Sequence, residues 1–279
     1  MSPTEEALEL LALHQRVPRF TMRNVLETLA VMAGEKPVMR LVLTGTEVGE
    51  ARGVLRGLGL TFEVSAWSLR PVYSTVLGDT YTTVHGDTSD PGSERVAMVS
   101  RVPVVAREAL AIEPHHEHAE EIGNLLGYPT CCVRAYEQIH VGRDWLMNML
   151  TATPVTVQCL AGANRIASLF ADCLLGYDYF PCSLACEASA QIAARITQLG
   201  RAAGLVDIVE RAAATMRAPV LLRSGIVIQL REEESSGGVV RCRLRGARLH
   251  NWRVAASAAT DPAWDAEFVE AEGEQLRFV

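Results

Sequence analysis

VMRLVLTGTEVGEARGVLRGLGLTFEVSAWSL, residues 38–69, changes its apolar period twice. Val38 to Leu43 form a short, nearly unbroken apolar run of the kind that makes a buried strand. After Thr44, the residues Val48, Ala51, Val54, Leu55 and Leu58 recur at helical spacing on one face. From Leu60 the pattern alternates again as a strand does. Strand, helix and strand in succession predict a βαβ-like unit. The turn Thr44-Gly45-Thr46-Glu47 offers backbone amides to an anion, but it carries neither G-x-G-x-x-G nor G-x4-G-K-[ST]. A plain strand-to-helix connection is the simpler reading.

Working outward, residues 1–35 read as helix, with Leu8, Leu11 and Ala12 on one stripe, a break at Pro18, and Val25, Leu26, Leu29 and Met32 on the next. Residues 86–94, GDTSDPGSE, have loop composition, and RVAMVSR after them is a strand candidate. An N-terminal α/β portion is therefore expected over residues 1–112, preceded within it by the helices. Residues 113–217 read as helical throughout: PHHEHAEEIGNLLG, PTCCVRAYEQIHV, the long VTVQCLAGANRIASLFADCLLG, and PCSLACEASAQIAARITQLGRAAG opening at Pro181. Residues 218–279 alternate, with EEESSGG as a hairpin loop, and predict a C-terminal β-meander followed by an acidic tail from Ala255. The fold class expected is mixed α+β.

Composition narrows the function. A chain of 279 residues buries a core without disulfide staples. Its net charge of −7 argues against general nucleic-acid binding. Lys36 is the only lysine, which a GC-rich genome explains more simply than an arginine-lined anion site. No apolar run reaches the roughly 18–20 residues of a membrane span. The acidic, amphipathic N-terminus lacks the basic start and cleavage site of a secretory signal, so a cytoplasmic protein is expected. In that reducing setting clustered cysteines are metal ligands or redox thiols more often than disulfides, and the odd total of seven agrees.

Four of the seven form two clusters, Cys131-Cys132 and Cys182-x3-Cys186, each after the word Leu-Leu-Gly-Tyr and a proline. Pro129 and Pro181 place both clusters at expected helix starts, where unsatisfied N–H groups favour thiolates. Cys182 and Cys186 would share a helix face at i and i+4. Adjacent cysteines in a helix point about 100° apart, which makes Cys131 and Cys132 awkward joint ligands of one small ion. An iron–sulfur cluster, of the 4Fe-4S type, accommodates such spacing better than a zinc ion, which usually draws on C-x2-C loops. Three readings stay open: an iron–sulfur enzyme, a zinc-stabilised binding or structural protein, and a metal-free thiol redox protein. Whether three or four cysteines ligate is open too. The enzyme reading implies a small-molecule substrate, with an electron donor or partner protein.

Other residues rank below these. His115 and His118, at i and i+3, could hold a divalent metal with a carboxylate, although polar residues at a helix start are more often solvated caps. Arg134, Glu137, Arg165 and Glu187 are the candidates for substrate contacts near the thiols, and each is more often a surface charge. Cys159 and Cys173 fall on the expected long helix as small packing residues, and Cys242 falls on a strand. The stretch Gly127-Tyr128-Pro129-x-Cys131-Cys132, with the later Pro181-Cys182-x3-Cys186, resembles an uncharacterised family of bacterial and archaeal proteins with a G-Y-P-x-C-C signature. The likeness covers residues 121–190 and implies a shared site without naming a reaction.

Overall fold

The computed structural model describes residues 2–140 apart from 75–77, 86–87, 89 and 116–117, then 156–159, Cys182 and 186–217, and five C-terminal strand stretches. Two helices open the chain, α1 (Pro3–Arg16) and α2 (Met22–Ala33). They are separate because Pro18 lies between them and each has its own cap. Ser2 and Glu5 close a reciprocal capping box on α1, and Thr21 with Asn24 does so on α2. Strand β1 (Val38–Thr44), helix α3 (Gly45–Gly57), strand β2 (Thr61–Val64) and strand β3 (Trp67–Ser74) follow the period changes of residues 38–69. At the head of α3, Glu47 accepts from the Thr44 backbone N–H at 2.8 Å and from its hydroxyl at 2.9 Å. The carboxylate at this helix start comes from the chain itself.

The pairing of these strands differs from a simple βαβ unit. Strand β5 (Glu94–Ser100) lies between β1 and β2, antiparallel to both: Val38 to Thr44 pair with Ser100 to Glu94, and Thr61 to Val64 pair with Ser100 to Ala97. The strands β1 and β2 thus run in the same direction with an antiparallel strand inserted between them. Strand β4 (Gly78–His85) pairs with β3 as a hairpin and extends the sheet, whereas the sequence pattern ended the strand near Leu69.

Both faces of this sheet are covered, which explains the unbroken apolar run of β1. Met39, Leu41, Leu43, Phe62, Ala97 and Val99 enter one core with α1, α2 and α3. Val38, Val96, Met98, Trp67 and Leu69 face the other way, onto helix α4 (Pro103–Ile112) and helix α5 (Ala119–Leu125). After α5 come α6 (Thr130–His140), α7 (Glu187–Ala202) and α8 (Val206–Arg217). Ile192, Ala193 and Ile196 of α7 and Val209 of α8 belong to the same core as Leu10, Leu26 and Leu41, so the N-terminal helices and the cysteine-bearing helices bury one another. Gly200 lets α7 come close to α8 and to α2, because a Cβ there would lie 2.4 Å from Val209 Cγ1 and 3.3 Å from Leu26 Cδ2.

Three local expectations need correction. Residues Thr156–Cys159 form strand β6, antiparallel to β7 (Pro219–Arg223), so Cys159 is on a strand and not on a long helix. The β-branched Thr156 and Val157 fit a pleated surface better than a helix. The rest of the expected helix, with Arg165 and Cys173, lies outside the described residues. Helix α7 begins at Glu187, well past Pro181. In the C-terminal part, strand β8 (Ile226–Ser236) runs through Glu232 to Ser236 and pairs with β9 (Val239–Arg245), so Glu232 to Ser236 are strand and not loop. Strands β10 (Phe268–Glu272) and β11 (Gln275–Phe278) pair with each other, and β10 with β9. These backbone stretches do not establish the β-meander, and residues 246–267 lie outside the described ones.

Candidate metal centre

The first Leu-Leu-Gly-Tyr word is a helix stop followed by a helix start. Gly127 takes φ +74°, and the Tyr128 N–H reaches back to the Gly123 carbonyl at 2.9 Å, closing α5 in a Schellman-type cap. Leu126 is buried against the sheet, and Tyr128 packs against both cores. Pro129 then accepts from the Cys132 and Val133 N–H groups, at 2.8 and 3.0 Å, which starts α6. Gly123 brings the two helices together, since a Cβ there would meet Val133 Cγ2 at 2.8 Å. Cys131 and Cys132 are thereby fixed in the first turn of α6. The second cluster arrives differently: Cys182 sits in a bend, and Cys186 is the N-cap residue of α7 with extended backbone. The two therefore do not share a helix face.

The four sulfurs nonetheless meet. All lie within 4.8 Å of one another. Cys132 Sγ is 3.6 Å from Cys186 Sγ, and Cys131 Sγ is 3.8 Å from Cys186 Sγ and 3.9 Å from Cys132 Sγ. The last distance shows that adjacency, expected to make Cys131 and Cys132 awkward joint ligands, does not keep their sulfurs apart. At a helix start both Cα–Cβ bonds tilt toward the N-terminal end, and the side chains can fold over that end without splaying around the axis. Such a group of four cysteines could hold a metal ion.

The surroundings of the sulfurs differ. Cys132 and Cys186 are 2% and 6% exposed and belong to the core, whereas Cys131 is exposed and Cys182 half-buried. Cys132 Sγ accepts the Cys182 backbone N–H at 3.3 Å and lies 3.6 Å from Ser189 Oγ. Burial pushes the Cys132 thiol well above its ordinary range, only partly opposed by those two donors. Burial also raises Cys182, with help from the neighbouring sulfurs of Cys186 and Cys131, to about 11. The expected ease of ionisation at a helix first turn fails for Cys182, because α7 starts only at Glu187. Burial acts upward on Cys186 too, but the hydroxyl and backbone N–H of Ser189 and the thiols of Cys132 and Cys182 outweigh it and bring Cys186 down to about 7. Cys186 thus ionises far more readily than its neighbours Cys132 and Cys182. Ser189, one turn into α7 and 1% exposed, carries no sequence signal beyond its spacing of three from Cys186.

Among the described residues, His115 and His118 do not form a metal-ligating group with a carboxylate. Helix α5 starts at Ala119 with His118 at its N-cap position, so His115 precedes the helix and the shared-face premise fails. His118 Nδ1 pairs with Glu121 Oε2 at 3.0 Å, and the His115 ring stands edge-on to it at 6.1 Å. Among the described residues the four cysteines are the group of metal-ligating side chains that converges. Arg134 and Glu187 are exposed; Arg165 and the Glu137 side chain lie outside the described residues. A cavity of about 400 Å³ opens elsewhere, between Leu29, Met32, Leu60 and Leu199, with Glu6 and Arg101 in its lining. None of the candidate residues lines it.

Residues 95–201 match a family of unknown function. Its description reads "Protein of unknown function (DUF483)", and the matched stretch runs from β5 through α6 to α7, so it contains all four cysteines. The match supports the resemblance to an uncharacterised family and extends past the 121–190 stretch that the motifs suggested. No curated protein and no solved structure matches the chain. Among the described residues no helix is long and apolar enough to cross a membrane.

Proposed function

We propose that Cys131, Cys132, Cys182 and Cys186 hold a single tetrahedral ion, zinc, and that its role is to lock the fold. The observation that carries this reading is the sulfur spacing. A tetrahedron of thiolates at the zinc–sulfur bond length of about 2.3 Å has edges of about 3.8 Å. The contacts among the Cys131, Cys132 and Cys186 sulfurs, 3.6, 3.8 and 3.9 Å, sit at that value, and the Cys182 sulfur lies within 4.8 Å of each. In a four-iron cluster each thiolate is bound to a different iron and points outward from it, so the sulfurs stand well beyond mutual contact. The spacing therefore favours the zinc-stabilised binding or structural protein over the iron–sulfur enzyme.

The same ion would tie the start of α6 to the start of α7 across a separation of 50 residues between Cys132 and Cys182. Closing so long a loop by a bond present only in the folded state converts metal affinity into folding stability. Both helix starts direct partial positive charge at the thiolates, which offsets part of the net negative charge of a four-thiolate zinc centre. A reducing compartment, such as the cytoplasm, would keep the thiols available as ligands.

Elemental analysis of protein purified without oxygen tests the reading. One zinc per chain in a colourless protein, lost together with a large part of the thermal stability on chelation, is the expected result. A brown protein containing iron and acid-labile sulfide would return the iron–sulfur reading to first place.

A further inference from the structure

The four sulfurs are not equivalent toward a reagent in solution. Cys132 and Cys186 are shielded by the core, and Cys132 receives a backbone N–H while Ser189 lies against it. Such donors withdraw charge from a thiolate and lower its reactivity. Cys131 is exposed, and among the described residues its hydrogen-bonding contacts are other sulfurs, those of Cys132, Cys186 and Cys182. It is the ligand with the least protection and the freest approach.

Resting on the single-ion reading, we propose that Cys131 is a modification site, the ligand through which a hydroperoxide opens the centre and releases its metal. The Cys131 sulfur attacks one peroxide oxygen; the O–O bond breaks, the sulfur loses two electrons to become a sulfenic acid, and the departing hydroxide leaves as water after taking a proton. The Cys186 thiolate, 3.8 Å away, then attacks the sulfenic sulfur, so that an S–S bond replaces the S–O bond and a second hydroxide is protonated to water. Two thiolates, one hydrogen peroxide and two protons thus give one disulfide and two waters. The ion keeps only Cys132 and Cys182 and dissociates.

Cys132 is excluded as the partner of Cys131 despite its proximity. Adjacent Cα atoms stand about 3.8 Å apart, below the roughly 4.4–6.8 Å that a relaxed disulfide spans, and a helix first turn resists the distortion. The opened centre would free α6 from the start of α7, so the chemistry of one surface thiol would be felt by the shared core.

The experiment uses the full chain, with its zinc content measured first, and adds hydrogen peroxide while a chromogenic chelator reports released metal. Peptide mapping after trapping with a sulfenic-acid reagent or an alkylating agent locates the modified residues. The expected result is first oxidation at Cys131, then a Cys131–Cys186 disulfide, with one zinc released per disulfide. In Cys131→Ser, supplied with zinc, release should be about tenfold slower or more, since oxidation follows exposure and thiolate character. First oxidation at another cysteine, a disulfide between another pair, or metal release unchanged in Cys131→Ser overturns this inference and leaves the zinc reading standing. Protein that binds no zinc overturns both.

Discussion

On the zinc reading, lowering the pH should strip the metal from this centre with a steepness set by the number of ligand protons that must be displaced. The perturbation is a change in proton concentration at fixed ionic strength. In the metal-free fold Cys182 is held up at about 11 by burial and its sulfur neighbours, and Cys132 is raised further, so both are thiols throughout the neutral range. Each must lose its proton to bind zinc. Displacing one proton changes the apparent affinity about tenfold per pH unit, so these two alone require about a hundredfold per unit. Cys186, lowered to about 7 by Ser189 and the adjacent thiols, adds a further proton as the pH falls through that value. The slope should therefore steepen by about a further tenfold per unit on the acid side.

The sign is the same for all three groups: acid protonates the ligands and weakens binding. In the metal-free chain the two kinds of shift act on stability in opposite windows. The raised Cys182 contributes stability below its unfolded value of 9 that is lost as the pH climbs toward about 11. The lowered Cys186 contributes stability above 9 that is lost as the pH falls through about 7. Competition against a chelator of known pH-dependent affinity gives the first slope, and calorimetry in buffers of different ionisation enthalpy counts the protons directly. A slope of one proton or fewer between pH 7 and 9 would refute the assignment of Cys132 and Cys182 as protonated ligands-in-waiting.

Two further perturbations test the packing that positions the centre. Gly123→Ala introduces a Cβ only 2.8 Å from Val133 Cγ2 and should cost about 1–3 kcal/mol by overpacking, less the roughly 1 kcal/mol that alanine gains over glycine in a helix. Adding Val133→Ala should relieve the clash, and chemical denaturation of the single and double variants measures the difference. Lys36 and Glu27 are both 2% exposed, with Nζ 3.7 Å from Oε2, and the Lys36 ammonium stands 5.3 Å over the Tyr128 ring. Glu27→Leu should destabilise the fold by about 3–5 kcal/mol by leaving a buried cation without its carboxylate, whereas Glu27→Leu combined with Lys36→Met should recover most of the loss. Urea midpoints that add simply across the two single variants would count against the pairing.

Much of the local structure is legible in the chain because it depends on neighbours within a turn or two. The period changes of residues 38–69 mark β1, α3 and β2, Pro18 separates α1 from α2, and Gly127 ends α5 just before Pro129 starts α6. The group of four cysteines that could hold a metal is legible as well, since paired thiols after a repeated word single out Cys131, Cys132, Cys182 and Cys186. Other features depend on partners far away in the chain. That β5 enters between β1 and β2 is invisible in their patterns, because strands buried on both faces carry no alternation to fix a neighbour or a register. Residues Thr156–Cys159 become a strand by pairing with Pro219–Arg223, and α7 starts at Glu187 with Cys186 as its cap, where Pro181 alone had suggested an earlier start. The chain sets which thiols are available and near which helix starts; packing of α5, α6 and α7 decides that all four sulfurs stand within 4.8 Å of one another, because that distance is the sum of many non-local contacts and no residue encodes it alone.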